Sequence, residues 1–206
     1  MSKTLIPALA GLGTIATGGG IYLANASSAE KNTVRLKLQD EKYIILKPDD
    51  SGHWRVSLEK YRSSHNDKSS YTEKNLKDLC ASLLEKKDSE LASYNEAKKY
   101  CVVPNTISQR LTALEFNPLK TGEADDTDKW KKLSAEYKKG EGDFKKLSGL
   151  ESNSINDDGK ALKDKCKDVF SKDHWTENYD TLLESSKDWC TEEGVNKLPS
   201  PERKND

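Results

Sequence analysis

The chain has 206 residues, of which 33% are hydrophobic and 33% charged, with a formal net charge of −1. Lysines and acids are interspersed, so the basic stripe of a nucleic-acid binder is missing and no nucleic-acid partner is expected. Low hydrophobicity leans towards disorder, but near-neutral charge, four tryptophans and eight tyrosines argue for a folded chain with a thin core.

The first element is apolar. Thr4 to Ala24 is a run of 21 residues without a charge, long enough to cross a bilayer core as a helix. Residues 1–26 are therefore expected to form an N-terminal membrane anchor or signal segment. Two readings stay open. An uncleaved helix would tether the rest to the membrane, which the length of the run favours. Alternatively, Ala24-Asn25-Ala26 is an A-x-A cleavage site that releases a chain beginning at Ser27. Lys3 favours an inside N-terminus, whereas Lys31, Arg35, Lys37 and Lys42 count the other way. Large domains translocate largely regardless of charge. The expected location is the cell membrane, single-pass with the C-terminal domain outside, or secreted. Gly11-Leu12-Gly13-Thr14-Ile15-Ala16 fits a dinucleotide-binding pattern but follows no buried strand, so no cofactor is inferred from it.

Beyond this segment the chain repeats itself. Thr33, Val34, Leu38, Tyr43, Leu46 and Lys47 recur at identical spacing as Thr106, Ile107, Leu111, Phe116, Leu119 and Lys120. Each run leads to a tryptophan and, seven residues on, a tyrosine: Trp54 and Tyr61, then Trp130 and Tyr137. Each then reaches a Leu-Lys-Asp-x-Cys block, at Leu76 to Cys80 and Leu162 to Cys166. Each closes on an aromatic and a cysteine, Tyr100-Cys101 and Trp189-Cys190. A tandem duplication is the economical explanation, with repeat 1 at 33–104 and repeat 2 at 106–191.

In chain order, Val34, Leu36 and Leu38 alternate like a strand, but the copy from Ile107 to Leu114 reads as a helix with Thr106 and Gln109 as a capping box. A helix is expected at both places. An extended link follows at Tyr43 to Leu46, whose copy holds Pro118, which cannot donate to a ladder. Trp54, Leu58 and Tyr61 share a helical face, as do Trp130, Leu133 and Tyr137. Asp125 to Asp128 is expected to cap the helix carrying Trp130. Leu76, Leu79, Cys80, Leu83 and Leu84 form the next stripe, with Ser70 and Glu73 as its capping box. Leu91, Tyr94, Ala97 and Cys101 form another, ended by Pro104. Leu162, Cys166, Val169 and Phe170 match the former. Trp175, Tyr179, Leu182, Leu183 and Cys190 match the latter, with Asp173 as N-cap. The fold class is thus mainly α, with two tandem small helical repeats of roughly four helices each. Gly140 to Gly159 reads as a loop grown on one copy, and 192–206 as a disordered tail.

Four cysteines allow three pairings. The duplication selects Cys80 with Cys101 and Cys166 with Cys190, structural disulfides that would each staple the last two helices of a unit. The alternative is four buried free thiols in a reducing compartment. No catalytic, cofactor-binding or metal-ligating residue is singled out. His53, His65 and His174 fall in no H-E-x-x-H, and there is neither a G-x-S-x-G elbow nor a P-loop. Trp54, Tyr61, Trp130 and Tyr137 are expected as core aromatics of the repeats rather than a ligand cage.

The ensemble resembles the large paralogous families of surface or exported proteins, of unknown biochemical role, found in haemoplasmas, the wall-less bacteria that attach to red blood cells. The resemblance lies in the Gly/Ala-rich apolar N-terminus, Trp54-x6-Tyr61, Leu76-Lys77-Asp78-x-Cys80, Tyr100-Cys101-Val102-Val103-Pro104, and the second copy through Trp189-Cys190. It implies a surface-exposed or secreted protein engaged in antigenic variation or host contact. The partners it implies are the membrane, through the N-terminal helix, and a host-cell surface or serum protein. No catalytic residue comes with it.

Overall fold

The computed structural model describes residues 32–122, 124–140 and 144–199. The segment expected at 1–26, and 200–206 of the expected tail, lie outside the described residues. Among the described residues the fold is mainly helical. Its extended pairing is limited to three isolated bridges, and no helix is long and apolar enough to cross a membrane. The first half carries α1 (Val34–Asp40), α2 (Ser51–Ser64), α3 (Glu73–Leu84) and α4 (Leu91–Tyr100). The second carries α5 (Ile107–Ala113), α6 (Thr127–Lys139), α7 (Lys160–Phe170) and α8 (Tyr179–Trp189), followed by α9 (Glu192–Asn196). Both halves lie within one compact unit.

The two halves are held by the same local bonds. α1 and α5 start on threonines whose side chains accept from the amides of Leu36 and Gln109, which satisfies otherwise free donors. Each helix is followed by a residue in the left-handed region, Lys42 at φ 63° and Glu115 at φ 66°. That reversal lets the amides of Tyr43 and Phe116 reach back to the carbonyls of Leu38 and Leu111. The chain then runs extended and forms the antiparallel bridges Ile45–Val102 and Pro118–Thr191. Pro118 is tolerated because its neighbours supply the bonds: Leu119 donates to Cys190, and Glu192 donates to Asn117. The Trp54 indole donates to the Lys47 carbonyl at 2.7 Å, and the Trp130 indole to the Lys120 carbonyl at 3.0 Å.

Each half buries its own apolar cluster. The first gathers Val34, Leu38, Trp54, Tyr61, Leu76 and Tyr100, and the second Ile107, Leu111, Trp130, Leu133, Tyr137 and Leu162. Full burial of such a side chain stabilises by roughly 2 kcal/mol.

Four local expectations need correction. α3 is capped by Thr72 with Asn75 in a reciprocal box, not by Ser70 and Glu73, because Thr72 holds the extended N-cap conformation and Glu73 is already helical. Asp173 does not cap α8. Its carboxylate accepts from the Trp175 amide and the Thr176 hydroxyl, closing a local turn, and the left-handed Asn178 separates that turn from the helix. Trp175 is therefore outside the helix. The inserted stretch from Gly140 to Gly159 is not only a surface loop. Leu147 and Ile155 are buried in the second cluster, the Tyr137 hydroxyl donates to Leu150 and accepts from Leu147, and the Trp189 indole donates to Lys145. The stretch supplies polar partners that these buried aromatics require. Finally, residues 192–199 are not disordered. Thr191 caps α9, Val195 and Leu198 pack on the second cluster, and Gly194 lies so close to α8 that a Cβ would sit 2.0 Å from the Asp188 carbonyl.

Candidate functional site

All four cysteines are bonded. Cys80 of α3 joins Cys101 at the end of α4 with Cα atoms 5.5 Å apart, and Cys166 of α7 joins Cys190 at the end of α8 with Cα atoms 5.7 Å apart. Each bond fastens the last two helices of its half. Trp54, Tyr61, Trp130 and Tyr137 are buried. Tyr61 stacks on His65 and Tyr71 and meets Tyr100 edge-on, while Tyr137 meets Trp189 edge-on. These rings are packing elements: the Trp54 and Trp130 indoles and the Tyr137 hydroxyl bond to nearby backbone, and the Tyr100 hydroxyl is buried without a partner among the described residues.

Polar side chains converge instead at the seam between the halves. α4 ends with carbonyls that no amide of its own helix satisfies. His174 Nε2 lies 2.7 Å from the Lys98 carbonyl, and the Trp175 indole donates to the Lys99 carbonyl at 2.9 Å. A carbonyl accepts only, so His174 carries its proton on Nε2. Arg110 of α5 is buried, donates through both terminal nitrogens to the carbonyls of Glu41 and Lys42, and lies 3.7 Å from the centre of the Tyr43 ring. These carbonyls follow the C-terminus of α1, where a cation is favoured by the helix dipole. Lys98 of α4 donates to both carboxylate oxygens of Asp180 at 2.8 Å. The Tyr179 hydroxyl donates to the Asn105 carbonyl at 3.2 Å.

Two cavities flank this seam. One of about 400 Å³ lies between Lys98, Lys99 and the turn from His174 to Asp180. The other, of about 310 Å³, is lined by Glu41, Tyr43, Tyr94, Arg110 and Lys187, and shares Lys98 and Asp180 with the first. Burial opposes the charge on Lys98, but Asp180 and Tyr43 outweigh it and hold the ammonium above its usual range. Burial pushes the Tyr179 phenol up and the His174 imidazole down. At neutral pH the seam thus contains a neutral histidine, a lysine neutralised by an aspartate, and an arginine held by carbonyls and an aromatic face. Among the described residues no group of three or more His, Cys, Asp or Glu side chains could hold a metal ion.

The sequence marks His174 and Trp175 but not the seam they form. A signal was present. The matching bonds Val34 to Lys86 and Ile107 to Lys172 align the halves, and place His174 opposite Asp88 and Arg110 opposite Lys37.

No protein-family model, curated protein or solved structure matches this chain.

Proposed function

We propose that this is an exported protein whose two halves are copies of one disulfide-stapled helical module. In this reading it is held at the cell membrane by its N-terminal segment, or released from it, and acts by contact with a host-cell surface or serum protein or by antigenic display, not by catalysis. One observation carries the reading: each half closes its own disulfide at a corresponding place. Such bonds persist in oxidising compartments and are rare where thiols are kept reduced. The matched caps, left-handed residues, bridges and indole bonds of the two halves support a duplicated module. A second reading, a secreted enzyme or enzyme inhibitor, is favoured only by the cavity where Lys98, His174 and Asp180 converge.

Protease treatment of intact cells, followed by antibody detection of residues 32–199, tests the location. Loss of the segment is expected. Protection until lysis would place it inside and remove the basis of the proposal.

A further inference from the structure

Polar bonds join the two halves, and a buried imidazole, that of His174, makes one of them. His174 is 7% exposed. Its ring is surrounded by Tyr43, Trp175 and Tyr179, with ring centroids 6.4, 5.5 and 5.7 Å away. The charged groups facing it come from several elements. Lys98 of α4 and Asp180 of α8 are bonded to each other at 2.8 Å. Arg110 of α5 covers the Tyr43 ring. Lys60 of α2 reaches Asp173, next in the chain, at 3.7 Å, and lies over the Trp175 ring. Lys99 and Glu177 line the adjoining cavity. Protonating the imidazole would add a positive charge to a largely buried ring beside the Lys98 ammonium, where the carboxylate of Asp180 is already paired. Burial of an ion without a free partner is costly.

We propose that His174 is an acid-sensitive latch between the two halves: neutral, it closes the seam, and protonated, it releases it while each disulfide-stapled half stays folded. The geometry favours this over general acid unfolding. The fully buried residues of each apolar cluster and each disulfide lie within one half, whereas His174 and Trp175 bond across to α4 and the Trp175 ring rests against the edge of the first cluster. Lys98 and Tyr179 are displaced further from neutrality. The direction follows from linkage. The folded-state value of His174 is lowered by burial below the ordinary 6.5, so its contribution is complete above 6.5 and is lost as pH falls from there through the folded-state value. The latch does not depend on the proposed cellular location.

Hydrogen exchange of the full, oxidised chain at about pH 7.5 and about pH 5, corrected for intrinsic rates, reads the latch segment by segment. Peptides covering 98–110 and 172–181 should lose protection at the lower pH and regain it on return. Peptides covering α2, α3, α6 and α7 should not change. His174→Gln should remove the difference, and His65→Gln should keep it. Unchanged protection of the seam in the parent protein would overturn the proposal. So would an undiminished acid response in His174→Gln, or loss of protection throughout the chain at once. Should His174→Gln fail to fold, NMR titration of the parent protein decides. The His174 ring and the Trp175 indole should shift with one midpoint below 6.5, and separate midpoints would sink the idea.

Discussion

Replacing both members of one cysteine pair by alanine should weaken one half and leave the other half's bond in place. For Cys80 and Cys101 the sequence separation is 21. The chain-entropy relation for a closed loop of that length gives about 3.4 kcal/mol. Cys80 is 2% and Cys101 0% exposed, so losing the sulfur atoms leaves a small void worth about 1 kcal/mol more. The Cys166 and Cys190 pair closes a separation of 24, which by the same relation is worth about 3.5 kcal/mol. If the described unit unfolds as one, a loss near 4 kcal/mol lowers Tm by roughly 8–16 °C for a domain of this size. The assay is thermal and urea unfolding followed by near-UV circular dichroism, with mass-spectrometric mapping of the remaining bond. In the Cys80→Ala, Cys101→Ala variant the surviving bond should be Cys166–Cys190. Mapping that joined Cys80 to Cys166 or Cys190 in the parent protein would refute the two-module reasoning. A double variant within about 0.5 kcal/mol of the parent would refute the magnitude.

Arg110→Met should cost about 3 kcal/mol in urea unfolding, because it removes two charge-assisted bonds and leaves the Glu41 and Lys42 carbonyls without their partner. Arg110→Lys should recover less than half of that loss, since a single ammonium cannot reproduce the planar fork, and equal stability of the two cations would contradict the assignment. Gly159→Ala should destabilise by about 2 kcal/mol, because φ is +79° and the new Cβ would lie 2.8 Å from the Trp130 Cβ. Gly52→Ala, inside α2 with nothing within 4 Å of the added atom, should instead stabilise by about 0.5 kcal/mol, and the two variants can be compared by Tm in one experiment.

Helices were legible where a short-range rule decided them. The Thr106 and Gln109 capping box is found as expected, and Trp54 with Tyr61, and Trp130 with Tyr137, are buried along the helical faces their spacing suggested. The cysteine pairing followed from the order of marks in the two halves and is the pairing in the structure. The misses occurred where several local solutions competed. Ser70 and Thr72 both offered a cap, and backbone conformation chose Thr72. Asp173 could cap a helix or close a turn, and the left-handed Asn178 decided for the turn. The charged composition of 192–199 suggested disorder, yet two apolar side chains and a glycine that permits close approach were enough to dock α9.

The sequence by itself determined the mainly helical class, the paired disulfides and the core aromatics. These depend on periodicity, on spacing and on the comparison of one half with the other. Only the tertiary structure decided what the inserted stretch of the second half does and how the halves meet. Tyr137 and Trp189 needed partners that Lys145, Leu147 and Leu150 supply from a segment that reads as polar loop. The seam joins Arg110 to carbonyls 68 and 69 positions away and His174 to one 76 away. Backbone carbonyls carry no residue identity, so an acceptor of that kind leaves no mark in the amino-acid sequence. It becomes visible only when folding brings a helix end against the side chain that satisfies it.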